Sequence, residues 1–228
     1  MTLAAYRAGD SLSGHPGQTD SALRRLDRST VSGPAEAVAR ALLGTLVVRD
    51  GAGGRRTGRI VETEAYAGPE DQASHARAGR TPRTAVMFGP AGRAYVCFVY
   101  GVHHCLNVVC DADGSAAAVL IRAVEPVSGT ALMRDRRGAT AGSSARLAAG
   151  PARTCQALDI DRSLDGVDLI TDERLWLAGD GSTPPVAERI IVGPRIGVDY
   201  AGPEWASRPW RFGIADSPSL SRPFPEPT

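Results

Sequence analysis

The residues best suited to chemistry crowd into one stretch, Arg59-Ile60-Val61-Glu62-Thr63-Glu64-Ala65-Tyr66-Ala67-Gly68-Pro69-Glu70-Asp71, which runs on to His75. An apolar strand ends here in two carboxylates at i and i+2, so Glu62 and Glu64 project from one face of it. Read alone, this is an exposed Glu pair at a strand end. Three neighbours argue otherwise: Tyr66 just beyond Glu64, His75 in an Arg-rich loop, and Tyr100 closing the next dense apolar strand. A carboxylate beside aromatic rings and arginines can activate water, stack a planar base and hold phosphate. Hydrolysis of a base from its sugar needs those three things. Two rival chemistries fit less well. Carboxylates two apart on one strand cannot face each other across a sugar ring, as a glycoside or nucleoside hydrolase pair would. A non-catalytic nucleic-acid-binding module would use the arginines and aromatic wedges but leave Glu64 without a role.

Composition narrows the chemistry further. All 26 basic residues are arginine, set against 25 acids for a net charge of +1, and the chain has no lysine. No side-chain amine is therefore present for Schiff-base, P-loop or amine-nucleophile chemistry. Charge is segregated along the chain: residues 51–109 hold seven Arg and four acids, residues 157–192 three Arg and eight acids. Such a chain can turn a basic face to a polyanion, and arginine suits phosphate better than lysine does. The cysteines, Cys97, Cys105, Cys110 and Cys155, lack CxxC spacing and read as reduced, partly buried thiols. His103 and His104 lie among the first three, but neither a structural-zinc nor a deaminase ligand pattern is present, so no metal is expected. No apolar run reaches membrane-spanning length.

These side chains need a scaffold rich in turns, and Gly 26 with Pro 16 provides for one. Residues 1–31 read as a mobile arm and the Pro-rich residues 217–228 as a tail, leaving one domain over 32–216. Ser32-Gly33-Pro34 starts a helix that Gly44 ends; Thr45 to Val48 and Thr57 to Thr63 read as strands joined by a Gly-rich turn. Residues 67–93 form a long loop of the kind that carries function. Strands follow at Tyr95–Tyr100, Cys105–Cys110 and Ala117–Val124, then helices over Val127–Arg136 and, with a Gly150-Pro151 interruption, Arg146–Leu158, and shorter strands near 174–177, 189–192 and 210–214. Hairpins outnumber βαβ units. The expected class is α+β, a single domain with a mainly antiparallel, curved β-sheet flanked by helices.

Several of these stretches together are specific. Val61-Glu62-Thr63-Glu64-Ala65-Tyr66, His75, Tyr100-Gly101-Val102-His103-His104-Cys105-Leu106-Asn107-Val108, Leu120-Ile121-Arg122-Ala123-Val124-Glu125-Pro126, Gly150-Pro151, Arg195-Ile196-Gly197-Val198 and Glu204-Trp205-Ala206 resemble the alkyladenine (3-methyladenine) DNA glycosylase family, in its order, over about residues 34–215. The resemblance implies a monomer in the bacterial cytoplasm that acts on double-stranded DNA containing damaged purines. It would flip 3-methyladenine, 7-methylguanine, hypoxanthine or ethenoadenine and hydrolyse the N-glycosidic bond without metal or cofactor, the opening step of base excision repair. By the same resemblance Glu64 is the general base for water, and Arg122 helps hold that water and a phosphate. Tyr66 and His75 sandwich the flipped base, Asn107 discriminates against the guanine amino group and Leu120 lines the pocket. Tyr100 is the wedge that fills the vacated space. Read without the family, Tyr100 and Leu120 are core residues and Asn107 a satisfied buried amide. The departure is Cys97, where the family commonly has an aromatic residue that completes the stack. One wall of the base pocket is therefore expected to be thin, with Tyr95 and His103 as candidates to replace it.

Overall fold

The computed structural model describes residues 23–225; the first 22 residues of the expected arm and the last three of the tail lie outside that range. In chain order the elements are β1 (Arg24–Arg25), α1 (Ala35–Ala41), β2 (Leu46–Gly51), β3 (Gly54–Tyr66), β4 (Ala94–Val99), β5 (His103–Cys110), β6 (Ala117–Ser128), α2 (Thr130–Arg137), α3 (Pro151–Leu158), β7 (Leu175–Gly179), β8 (Ile190–Gly193), α4 (Pro203–Ala206) and β9 (Arg211–Ile214). Two short 3-10 turns, His75–Ala78 and Ala85–Phe88, punctuate the long loop.

The strands form one sheet in the order β1-β7-β2-β3-β6-β5-β4, with β9 also pairing β3 and β8 pairing β9. Every named strand pairing is antiparallel. The class is thus α+β on one sheet. At 13 residues, β3 is long enough to change partners on one edge. It pairs β2 through Arg59 and then β9 at Glu62–Glu64, while β6 follows the other edge. Register shifts against β6 between Ile60 and Thr63 mark where β3 bends, as bulges do.

Side chains alternate across the sheet, and its two faces do different things. On one face Val96, Leu106, Val108, Val119 and Ile121 pack against Val38, Leu42 and Leu43 of the first helix region and Cys155 and Leu158 of α3. On the other face Tyr95, Cys97, Cys105, Val109, Ala118 and Leu120 meet Ala76 and Met87 of the 67–93 loop. That loop-covered face carries the candidate site.

Three stretches differ from the sequence reading. Residues 24–31 join the fold: Arg24 pairs Gly179, Arg25 pairs Ala178, Arg28 bonds Asp168 at 2.7 Å and Val31 is fully buried. A two-residue strand leaves no periodicity to read. Residues 217–225 are packed too, with Ser219 buried and the Phe224 ring against Gly193 and Gly213. Of the stretch 146–158 only the part after the expected Gly150-Pro151 interruption is α-helix: α3 starts at Pro151, because Gly150 at φ +134 breaks the chain direction and Pro fits the first turn.

Candidate active site

Strand register alone assembles the centre of the site. Glu64 lies opposite Leu120, Leu120 opposite Asn107, and Asn107 opposite Tyr95, a row across β3, β6, β5 and β4. One side-chain step away along β4 and β5, Cys97 faces Cys105. Above this face opens a cavity of about 600 Å³ lined by Tyr66, His75, Cys97, Tyr100, Asn107, Leu120 and Arg122, among others. All the candidate residues therefore converge, from positions up to 58 apart in sequence. Glu64 alone is not in the cavity wall; it is fully buried just behind it.

The two carboxylates are held differently. Glu64 Oε1 accepts from the Ile196 amide at 2.8 Å and lies 3.2 Å from Arg122 Nη1, while Oε2 accepts from the Tyr66 hydroxyl at 2.9 Å. Glu62 accepts on Oε1 from Arg122 Nε at 3.1 Å, Arg211 Nη1 at 3.2 Å and Ser221 Oγ at 2.8 Å. Its Oε2 accepts from the Ser221 amide at 2.6 Å. Arg122 thus bridges both acids. Burial disfavours its charge, but Glu64 and Glu62 beside it outweigh burial and raise its pKa. Burial, the Glu64 charge and the hydrogen bond to Glu64 hold the Tyr66 phenol well above its ordinary range, so it remains a proton donor.

The loop that brings His75 to the cavity is pinned at its root. Asp71 and Arg195 form a fully buried pair at 2.5 and 2.9 Å, and Arg195 also donates to the carbonyls of Ala65 and Trp205. The same guanidinium lies 4.8 Å from the Tyr66 ring centre and 5.0 Å from that of Trp210, so it backs the tyrosine by cation–π contact. Gly68, at φ +95, passes so close to the Ser115 carbonyl that a Cβ would come within 2.4 Å of its oxygen. His75 Nδ1 shares a hydrogen bond with the Tyr95 hydroxyl at 3.0 Å, which fixes the imidazole edge-on to that ring. Sequence reasoning gave no role to Asp71, Arg195, Ile196 or Ser221. Their contacts span 124 to 159 residues, which no local pattern encodes.

Asn107 donates from Nδ2 to the Tyr95 carbonyl at 3.0 Å and lies 3.7 Å from Cys97 Sγ. Cys97 Sγ donates to the Cys105 carbonyl at 3.8 Å; Cys105, against burial, and then His75 and Asn107 hold the Cys97 thiol below its usual range. Cys105, beside Cys97 and itself buried, is held well above the usual thiol range. Of the two candidates to replace the missing aromatic wall, Tyr95 lines the cavity, whereas His103 is exposed on the hairpin. Tyr100 is not a core residue. It is 87% exposed at the β4–β5 turn, at φ +53 beside Gly101 at φ +69, with Phe98 and Val102 also exposed.

A single sheet with a loop-roofed cavity, a buried glutamate and an exposed aromatic hairpin tip has the layout of an enzyme site. Residues 29–218 match the family of methylpurine-DNA glycosylases, and the chain belongs to that family of N-glycosyl hydrolases. It is 45% identical over 200 residues to the DNA-3-methyladenine glycosylase of Mus musculus, covering 82% of this chain and 58% of that one. A protein of Anaeromyxobacter dehalogenans, provisionally named a 3-methyladenine DNA glycosylase, is 50% identical over 189 residues, 82% of this chain and 81% of its own. Another so named, from Methanocella arvoryzae, is 46% identical over 200 residues, 88% and 97% of the two chains.

Proposed function

We propose that the protein is a monofunctional DNA glycosylase that acts as a monomer on duplex DNA containing alkylated or deaminated purines. It extrudes the damaged nucleotide into the cavity and hydrolyses the N-glycosidic bond with a water activated by Glu64. The observation that carries this reading is Glu64 itself, buried behind the cavity wall with one oxygen on Tyr66 and the other on Arg122 and the Ile196 amide. A carboxylate so oriented can take a proton from water in a site from which bulk solvent is largely removed.

The remaining residues supply binding. Flipping costs a few kcal/mol, least for a damaged or mispaired base, and each aromatic stack returns about 1–3 kcal/mol. Tyr66 and His75 flank the flipped base, Tyr100 fills the gap it leaves, and Asn107 and Leu120 shape the pocket floor. Arg122 holds the attacking water beside Glu64. With no lysine in the chain, no side chain offers a Schiff-base route, so the product is an abasic strand with its backbone intact.

The test is a duplex carrying one 3-methyladenine or hypoxanthine, incubated with the protein and then cleaved with alkali. Base release from the duplex, and not from the free nucleoside, with the strand intact until alkali is added, is the expected result. Lesion binding without any release would favour the binding-module reading. Release from the nucleoside would favour a nucleoside hydrolase, and borohydride trapping of a protein–DNA adduct would overturn the monofunctional assignment.

A further inference from the structure

Just past the stretch that matches the family, residues 219–225 cross behind the site and touch its machinery. We propose that Ser221 on this strap is a positioning residue for Arg122, acting directly and through Glu62; the proposal rests on the glycosylase reading above.

The geometry leaves Glu62 little other work. It is fully buried, and its two oxygens accept from four donors: Arg122 Nε, Arg211 Nη1, and the amide and hydroxyl of Ser221. A carboxylate so occupied serves as an anchor rather than as a base. Ser221 Oγ is used twice. Its proton goes to Glu62 Oε1 at 2.8 Å, and it accepts from Arg122 Nη2 at 3.3 Å.

Arg122 is therefore gripped at three nitrogens: Nε by Glu62, Nη2 by Ser221, and Nη1 at 3.2 Å from Glu64. A guanidinium is planar and rigid, so fixing two nitrogens sets where the third points. Glu62 and Ser221 hold the back of the fork, and the front is left aimed at Glu64. The strap has its own fastening. Arg211 donates to the carbonyl of Pro223 at 3.0 Å and lies 3.7 Å from the Phe224 ring centre, and that ring fills the space over Gly213, where a Cβ would come within 2.8 Å of it. Ser221 is thus placed by packing on β9, the strand that pairs Glu62 and Glu64 of β3.

The matched pair Ser221→Thr and Ser221→Val tests this, because both add the same branch and only Thr keeps the hydroxyl. Readouts are single-turnover excision from a duplex with one 3-methyladenine, affinity for a duplex carrying a non-cleavable abasic analogue, and thermal unfolding. Since misplacement by about an ångström can cost ~100-fold, Val is expected to excise about 10–100-fold more slowly than Thr, with analogue affinity and melting temperature alike in the two. In an Arg122→Ala background the gap between Thr and Val should close, which a merely structural role would not produce. Equal excision by Thr and Val with Arg122 present, or a gap that persists without Arg122, overturns the proposal. Absence of excision by the wild-type chain would instead sink the glycosylase reading, and the strap's role with it.

Discussion

Two glutamates leave β3 on the same face, and their partners divide the labour between them. Glu62 is saturated by four donors, whereas Glu64 Oε2 is met by the Tyr66 hydroxyl and its Oε1 by Arg122 and a backbone amide. Cys97 is the residue whose chemistry most sets this site apart. Where the resemblance leads one to expect a ring, it presents only a small sulfur to the cavity. A cationic base such as 3-methyladenine keeps cation–π attraction to Tyr66, while a neutral base such as hypoxanthine loses a stack worth about 1–3 kcal/mol. The wild type is therefore expected to excise cationic methylpurines faster than hypoxanthine. Cys97→Tyr should raise excision of the neutral lesion about 5- to 150-fold, the range one stack spans. Single-turnover rates for both lesions in the two proteins decide it; equal wild-type rates would mean that Tyr95 already completes the wall.

At the scale of elements, the β4–β5 hairpin exposes Tyr100 and the 67–93 loop roofs the cavity, and in the proposed reaction they would admit a base and cover it. The hairpin tip places Tyr100 in the left-handed region, uncommon for a residue other than glycine, and leaves it almost wholly exposed. Such a ring has no packing role to lose. Tyr100→Ala is expected to leave the melting temperature unchanged and weaken binding to a lesion in duplex DNA about tenfold, roughly one stack. The loss should shrink when the lesion sits in a mismatch, where less pairing must be broken. A lower melting temperature with unchanged lesion affinity would make Tyr100 structural. These elements were the legible part of the sequence. An apolar run ending in Glu62 and Glu64, a strand ending at Tyr100 and a long Gly-, Pro- and Arg-rich loop all carry local signals, and each element lies within a few residues of where those signals put it. The start of β3 was placed three residues late, because Arg55 and Arg56 extend the strand without an apolar pattern.

At the scale of the molecule, what the sequence hid is what ties distant segments together. Residues 24–31 and 217–225 are polar or Pro-rich and have no period, so they read as arm and tail. Both are held by arginines reaching across the fold: Arg28 to Asp168, and Arg211 to the strap. Asp71 with Arg195 does the same for the loop, and removing one partner of so buried a pair typically costs about 3–5 kcal/mol. A further tie, Arg59 to Asp180 at 2.6 Å, joins β3 to the end of β7. The hydrogen bond from Arg59, against some burial, holds the Asp180 carboxyl far below the usual carboxylate range. A depressed folded value means that the stabilisation is complete above the unfolded value near pH 3.9 and is lost as pH falls from there toward the folded value. Asp180→Asn is thus expected to lower the melting temperature by about 3–8 °C at pH 7, as loss of a charge-assisted bond does in a chain this size. The difference should narrow below pH 4. A gap independent of pH would assign the effect to packing instead.

The central claim is that Glu64 activates water and does little else for binding. Its most direct test is Glu64→Gln, compared with the wild type for binding to and single-turnover excision from one 3-methyladenine duplex. Gln keeps the size and an oxygen for the Ile196 amide but cannot take a proton, and general-base catalysis is worth about 10²–10⁴-fold. Lesion-duplex affinity within a few-fold of wild type, with excision lower by about that factor, is the predicted result. Excision by Glu64→Gln within about threefold of wild type at every pH would contradict the account, because proton transfer to one carboxylate could not then be the step that carries catalysis.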